Sequence, residues 1–209
     1  MKKYFLKYAC CPECGAEFTV EEFVISGLEV QEGMLRCTKC AITFPIISGV
    51  PRILRPAMIS ELVRAYPDFR RKYIRQLHIS DNALVTPDIR RSLKVAKMYE
   101  YGWSIYSKVA EEYKREFDDM IDQHLSPDEF KGKLALDAGC GMGRFAYFGA
   151  LYGAAEIVGF DLSEAVVTAH HDTFRGKENA HFFQGDIYYL PLRKESFDIV
   201  YSIGVIHHL

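Results

Sequence analysis

The chain has 209 residues, of which 49% are hydrophobic and 26% charged, a composition typical of a globular protein and not of a disordered or fibrous one. Its net charge of −2 argues against nucleic-acid binding through the charge of the molecule as a whole. No apolar run approaches the roughly 20 residues of a membrane span, and the N-terminal apolar segment is too short for a signal peptide, so we expect a cytoplasmic protein.

Basic and acidic residues are unevenly distributed along the chain. Residues 64–97 contain nine Lys and Arg against three Asp, whereas residues 98–209 contain ten basic and eighteen acidic residues. The basic stretch is expected to be a solvated helix face, which is the commoner case, or a surface that contacts RNA.

Five of the six cysteines lie within the first 40 residues. Four of them form two C-x-x-C pairs separated by 22 residues, and four thiolates so placed can surround one zinc ion tetrahedrally. A disulfide framework is the alternative, but nothing in the sequence indicates export. Cys10 could replace Cys11 as a ligand, although only Cys11 has the two-residue spacing to Cys14. The predicted metal ligands are Cys11, Cys14, Cys37 and Cys40.

The segment after the second cysteine pair reads FPI at residues 44–46 and GVP at residues 49–51, with Leu54 behind it. Together with the cysteines, this order resembles the small zinc-ribbon proteins that activate methyltransferases. The resemblance covers residues 5–55 and implies a zinc-ribbon domain over residues 1–55. Two roles stay open for such a ribbon, that of a scaffold alone and that of a contact with substrate.

Residues 56–130 are predicted as a helical linker. Its three prolines favour short helices in the first half over a single long one. From Asp88 to about Gln123, apolar residues recur at three- and four-residue steps, which predicts a helix that Gly102 breaks or kinks. The prolines are Pro56, Pro67 and Pro87.

A strand, a glycine turn and a helix are predicted next, with the strand over Lys133–Cys140 and the helix over Gly143–Tyr152. Unpaired N–H groups at the start of a helix suit an anionic or polar ligand, and glycines let the backbone approach it closely. The dinucleotide-binding pattern G-x-G-x-x-G is not met, because Arg144 stands where its third glycine would fall. The pattern is D-x-G-x-G-x-G, formed by Asp137, Gly139, Gly141 and Gly143.

This pattern resembles the first motif of class I S-adenosylmethionine-dependent methyltransferases. The resemblance implies that the turn wraps the methionine part of the cofactor and that the leading acid is tied to its amino end. The aromatic cluster from Tyr99 to Tyr106 resembles a segment that folds over the cofactor in that family, although plain core contacts are the alternative. We expect Cys140 to be a small residue of the turn and not a nucleophile. The predicted contacts here are Asp137, Ala138, Gly139, Cys140, Gly141 and Gly143.

Further strands are predicted at Glu156–Asp161, Ala180–Gly185 and Phe197–Val205, with a helix to about Phe174 between the first two. A carboxylate at the end of the second strand of the domain, Asp161, can accept both ribose hydroxyls of a bound adenosine. The resemblance implies that the acid after the third strand holds the adenine amino group and that the next residue packs on the ring. The additional predicted cofactor contacts are therefore Asp161, Leu162, Asp186, Ile187 and Ser202.

The predicted fold class is α/β. A Rossmann-like methyltransferase domain over residues 131–209 follows the ribbon and the linker. The resembling fold has seven strands in the order 3-2-1-4-5-7-6, of which four are found, so we expect a partial domain with feeble methyl transfer or none. Its fourth strand would be an apolar edge, and we expect self-association through it or poor order after about residue 200.

We therefore predict a methyltransferase with S-adenosylmethionine and zinc as cofactors, acting on an unidentified acceptor, with a small molecule favoured. The alternatives are an RNA methyltransferase that uses the ribbon and the basic stretch to hold nucleic acid, and a non-catalytic partner subunit of another methyltransferase. A general base is optional for methyl transfer, and the weak candidates are His207 and His208.

Overall fold

The computed structural model describes residues 1–77, 84–105, 109, 111–122 and 124–208. The predicted boundaries at Tyr106 and Gln123 lie outside these residues. The chain forms two compact units, which are Met1–Val95 with Phe183–Lys194, and Ala96–Phe182 with Glu195–Leu209. The division into a ribbon, a linker and a methyltransferase domain stays a prediction.

The first unit is built on an antiparallel meander. Its strands are β1 (Phe18–Ser26), β2 (Glu29–Cys37), β3 (Thr43–Ile47) and β4 (Val50–Ile53), followed by the end of β7 (Ala180–Gly185). All residues of β3 and β4 are buried, as expected for strands whose two faces are both covered. β4 is parallel to β7, with Arg52 opposite Gln184 and Ile53 opposite Gly185.

Three helices follow β4, and each begins at one of the three prolines that the sequence analysis singled out. A proline fits the first helical position, because its fixed φ suits the helix and its missing N–H would have no partner there. The helices are α1 (Pro56–Arg64), α2 (Pro67–Tyr73) and α3 (Pro87–Ile105).

The second unit has parallel strands in the order β7-β6-β5-β8, with β5 parallel to both β6 and β8. This is the predicted order 3-2-1-4, and the α/β fold class is confirmed. The strands are β5 (Leu134–Ala138), β6 (Glu156–Asp161) and β8 (Ile199–Tyr201). The helices are α4 (Glu111–Ile121), α5 (Arg144–Leu151) and α6 (Ala165–Thr168), the last continued by a π-helical turn over Ala169–Thr173.

An aromatic cluster holds α4 against α5. The ring of Phe117, which is fully buried, lies 5.4 Å from that of Phe145 and 5.9 Å from that of Phe130. Buried aromatic side chains contribute a large apolar area, so this cluster fixes the helix that follows the glycine turn.

Two predicted elements differ from the observed ones. The fourth strand is three residues long instead of nine, because the Ser202 hydroxyl donates to the Ala138 carbonyl at 2.7 Å and Gly204 turns the chain at a φ of 73°. α3 runs through Gly102 without a break and ends at Ile105. None of the helices within the described ranges is long and apolar enough to cross a membrane.

Candidate cofactor and metal sites

The glycine turn after β5 has the backbone geometry that its sequence predicts. Gly139, Gly141 and Gly143 all have positive φ, which L side chains rarely adopt. A Cβ atom at Gly139 would lie 2.3 Å from Val205, and one at Gly141 would lie 2.9 Å from the indole nitrogen of Trp103. The turn therefore requires glycine for conformation and also for space.

Asp161 lies at the carboxyl end of β6 and contacts this turn directly. Its Oδ2 accepts the Gly141 N–H at 2.8 Å, and its Oδ1 accepts the N–H and the hydroxyl of Ser163 at 2.8 and 2.6 Å. Burial raises the pKa of Asp161, although these donors act in the opposite direction. Because each carboxylate oxygen has two lone pairs, Asp161 can accept further donors from a ligand.

Asp137 is a buried carboxyl group whose charge is poorly compensated. It is 2% exposed, and its Oδ2 makes no well-formed hydrogen bond within the described part of the chain. Burial and the nearby charge of Asp161 raise its pKa to about 8, although the Ala146 N–H, Arg144 and Tyr201 favour the ionised form. A cationic ligand beside Asp137 would supply the missing opposite charge.

Trp103, near the end of α3, lies over the glycine turn in a stack of aromatic rings around Arg144. The Arg144 guanidinium lies 5.0 Å from the Trp103 ring centroid and 4.8 Å from that of Tyr113, and it pairs with Glu116 at 2.8 Å. Cation–π contacts of this kind hold an aromatic segment in place. Trp103 thus covers one side of the turn, while the role of the aromatic cluster over a cofactor stays a prediction.

The remaining predicted residues of the second unit have varied surroundings. Cys140 is buried. Burial raises the pKa of its thiol, and the charges of Asp137 and Asp161 raise this pKa further, so the thiol is a poor nucleophile. The hydroxyl of Ser202 donates a hydrogen bond to the Ala138 carbonyl. Leu162 is half-buried next to Asp161.

The two candidate histidines follow β8 and lie in an exposed short helical turn. The hydroxyl of Tyr99 on α3 forms a hydrogen bond with Nε2 of His208. The rings of His207 and His208 are 3.8 Å apart between centroids. Tyr99 was predicted only as a member of the aromatic cluster, and no sequence signal links it to His208.

Asp186 and Ile187 belong to the first unit, whereas the other predicted cofactor contacts belong to the second. Asp186 is 2% exposed, and its Oδ1 accepts the Tyr188 N–H at 3.0 Å. Its Oδ2 lies 2.7 Å from Nε of Arg55, a residue that the sequence analysis did not single out. Ile187 is half-buried.

The four predicted metal ligands form one cluster, in which all sulfur atoms lie within 4.8 Å of one another. The Sγ atoms of Cys11 and Cys40 are 3.6 Å apart, and those of Cys14 and Cys37 are 3.4 Å apart. A tetrahedral zinc ion with bonds near 2.3 Å needs sulfurs about 3.8 Å apart, so the cluster fits zinc. Cys10 is not a member of this cluster.

The backbone around Cys37 favours a thiolate. The N–H groups of Lys39 and Cys40 both point at its sulfur, at 3.4 Å. Burial raises its pKa, but these donors and the neighbouring thiols outweigh burial and lower the pKa to about 6. The knuckle thus holds its sulfur in the form that binds metal.

The parallel strand order, the Asp-Gly turn after β5 and the acid after β6 define a class I S-adenosylmethionine-dependent methyltransferase domain. Residues 135–209 match the family described as "Methyltransferase domain".

Curated relatives and solved structures of the same class are similar to this chain. The tRNA U34 carboxymethyltransferase of Hahella chejuensis is 36% identical over 95 residues, which cover 42% of this chain and 27% of that protein. The sterol 24-C-methyltransferase of Pneumocystis carinii is 30% identical over 123 residues, with 54% and 33% covered. The structure of an S-adenosylmethionine-dependent methyltransferase from Mesorhizobium loti is 28% identical, with a TM-score of 0.36 and 41% and 38% covered. This chain spans 27% and 33% of the two curated relatives.

Proposed function

We propose that this chain binds S-adenosylmethionine at the glycine turn of its second unit and transfers the methyl group to an acceptor. The observation that carries the proposal is the buried Asp137 carboxyl group behind the turn. S-adenosylmethionine has a cationic amino group and a sulfonium, and either charge would compensate a buried carboxylate. A neutral or anionic ligand would leave the charge of the buried carboxylate uncompensated.

Three side chains beside the turn, those of Asp137, Asp161 and Trp103, have a role in binding in this proposal. Asp137 receives the amino group of the methionine part, and Asp161 accepts hydrogen bonds from the ribose hydroxyls. The bound cofactor supplies an electrophilic methyl group, so the protein needs chiefly to orient the acceptor and to exclude water. Trp103 excludes water from one side of the turn.

Fluorescence offers a direct test of cofactor binding, because Trp103 is the only tryptophan of the chain. Titration with S-adenosylhomocysteine should change its emission. Asp137→Asn and Asp161→Asn should each weaken binding roughly 10- to 100-fold, because a charged acceptor is lost. The exposed Asp119 on α4 provides a control, since Asp119→Asn should leave the affinity unchanged. The proposal fails if the folded wild-type chain does not bind, or if all three variants bind equally well.

A proton acceptor for the methylated group is proposed at His208. Its contact with Tyr99 fixes the imidazole, and a ring nitrogen of histidine can accept a proton from the nucleophile that is methylated. His208→Ala should slow methyl transfer more than His207→Ala at equal cofactor affinity. Equal rates in the two variants would contradict this role.

We also propose that Cys11, Cys14, Cys37 and Cys40 hold one structural zinc ion. The sulfur distances support this assignment. The small size of the ribbon supports it too, since a domain of about 50 residues rarely folds stably without a metal or disulfide bonds. Metal analysis of purified protein should find one zinc per chain. It should find much less in Cys37→Ser but an unchanged amount in Cys10→Ser. Wild-type protein with well under one equivalent would contradict the assignment.

The acceptor class has two candidates. A small molecule agrees with the overall negative charge, and one curated relative is named for a sterol.

RNA is supported by relatives named for tRNA and by exposed basic residues on one face of α3. These residues are Arg90, Arg91 and Lys94, and the described part of the chain shows no ion pair for them. If RNA is the acceptor, retention should fall steeply with salt and weaken when these three residues become Glu. Salt-independent or absent retention would favour the small molecule.

A further inference from the structure

The segment that follows β6 contacts the glycine turn at two points. Asp161, at the end of the strand, accepts the Gly141 N–H through its Oδ2 at 2.8 Å. Farther along the chain, the Thr173 hydroxyl donates to the Met142 carbonyl at 2.7 Å. All four residues belong to the second unit. Because the two contacts fall on neighbouring residues of the turn, this segment holds the turn from outside it.

A π-helical turn over Ala169–Thr173 determines where Thr173 lies. The Phe174 N–H donates to the Ala169 carbonyl at 3.0 Å, a bond to the fifth residue back where an α-helix would use the fourth. A wider turn points its last side chain in another direction than an α-helix would. Single π turns of this kind occur frequently at functional sites. Here the turn directs Thr173 at the Met142 carbonyl.

The π turn is also packed against the glycine turn. A Cβ atom at Gly143 would lie 3.1 Å from the Ala169 Cβ and 3.4 Å from the Phe174 ring. The Phe174 ring lies 4.8 Å from that of Phe182 on β7 and 6.3 Å from that of Tyr147 on α5, measured between centroids. Ala169 and Phe174 are both buried, so close packing fixes the π turn and the residue at its end.

The peptide group between Met142 and Gly143 is held at both of its polar atoms. Its carbonyl accepts the Thr173 hydroxyl, and its N–H donates to the Cys140 carbonyl at 2.8 Å. Gly143 has a φ of 80° and no side chain that would resist rotation of the backbone, so hydrogen bonds have to fix this peptide. The peptide lies directly before α5, and its orientation sets the direction of the first turn of that helix.

We propose that Thr173 is a positioning residue, which holds the glycine turn in the conformation that binds the amino-acid part of the cofactor. The inference rests on the proposed function, in which Asp137 at the start of this turn receives the amino group. Thr173 does not contact the cofactor in this proposal and acts only through the Met142 carbonyl. A turn that is ordered beforehand binds more tightly, because the ligand does not have to order it.

The test compares two ligands, S-adenosylhomocysteine and methylthioadenosine, which is the same thionucleoside without the amino and carboxylate groups. Wild type should prefer S-adenosylhomocysteine by roughly 10-fold or more, because it alone brings an amino group to Asp137. Thr173→Val removes the hydroxyl at nearly constant shape, whereas Thr173→Ser keeps it. Thr168→Val on α6 is the matched control, since the described part of the chain shows no hydrogen bond for the Thr168 hydroxyl.

Thr173→Val should weaken S-adenosylhomocysteine binding roughly 5- to 20-fold and methylthioadenosine binding by about twofold or less, because one hydrogen bond of the turn is lost. Thr173→Ser should bind both ligands within about twofold of wild type, because its hydroxyl can still donate. Thr168→Val should bind both like wild type. Calorimetry measures the dissociation constants, and circular dichroism checks that each protein is folded. Thr173→Ala, which also lacks the hydroxyl, replaces Thr173→Val if that variant does not fold.

The outcomes separate this inference from the proposed function. Unchanged binding of both ligands by Thr173→Val would overturn the role of Thr173, and so would an equal loss for both, which indicates a structural role alone. Thr173→Ser that binds as weakly as Thr173→Val would overturn it as well. In each of these cases, weaker binding by Asp137→Asn would still support the proposed function. If wild type binds neither ligand, the proposed function itself fails.

Discussion

At the scale of single residues, the buried charge of Asp137 lowers the stability of the second unit. The carboxyl group is buried next to another buried acid, and its folded-state pKa of about 8 lies far above the ordinary value. A carboxyl group with a raised pKa stabilises the fold fully at pH values below its unfolded-state pKa. This contribution is lost as the pH rises through the folded-state value.

The ligand-free chain should therefore lose stability between about pH 4 and pH 8 relative to Asp137→Asn. The variant should be more stable than wild type by on the order of 1–3 kcal/mol at pH 8, and the difference should nearly vanish at pH 4. Urea unfolding of both proteins at several pH values measures this. A difference that does not depend on pH would show that Asp137 is not buried in the way described.

Gly141 offers a second test at this scale. Gly141→Ala places a methyl group 2.9 Å from the Trp103 indole and also forces alanine into a positive φ. The substitution should destabilise the chain by roughly 1–3 kcal/mol and shift the Trp103 emission. Gly176 has a positive φ of 72° but open space around it, so Gly176→Ala should cost only about 1 kcal/mol and leave the emission unchanged. Equal effects of both variants would argue against the contact with Trp103.

At the scale of elements, the sequence predicts the central strands well. The predicted bounds of β6 and β7 agree with the structure, and the residues of both strands are buried or half-buried, as expected in the interior of a parallel sheet. β8 was predicted too long, since the hydrogen bond of Ser202 to the Ala138 carbonyl depends on tertiary contacts. The pairing of β4 with β7 was equally hidden, because it joins residues 132 positions apart, such as Arg52 and Gln184.

The exposed side of β8 leads to a prediction about association. Within the described ranges β8 pairs with β5 alone, and the Val200 side chain on it is 61% exposed. An apolar strand edge favours pairing with a second copy. Light scattering at increasing concentration should show self-association in wild type and less in Val200→Lys. Leu151→Lys on α5, where the leucine is 60% exposed but lies on no strand, should behave like wild type. A concentration-independent monomer would contradict the prediction.

At the scale of the whole molecule, zinc should hold in place a chain segment that is distant from the cysteines in sequence. The first cysteine knuckle contacts residues 183–194 of its own unit through the hydrogen bonds of Tyr189 to Glu13 and of Cys10 to Pro191. Removing zinc should release these contacts, because the knuckle that makes them is held together by the metal.

Hydrogen exchange of residues 188–193 before and after chelation measures the release, and added zinc should restore the protection. Cys10→Ser retains the backbone hydrogen bond to Pro191 and serves as a control that should respond to chelation as wild type does. Unchanged exchange in metal-free, folded protein would show that this segment does not depend on zinc.

The contact between Arg52 and Gln184 also has a consequence for the time course of synthesis. At about 5–20 residues per second, a ribosome needs on the order of ten seconds to extend the chain from β4 to the strand that pairs with it. During this interval the ribbon has emerged, and its last strand presents unpaired N–H and C=O groups to the surrounding medium. The nascent chain is therefore exposed to mispairing until β7 has been synthesised.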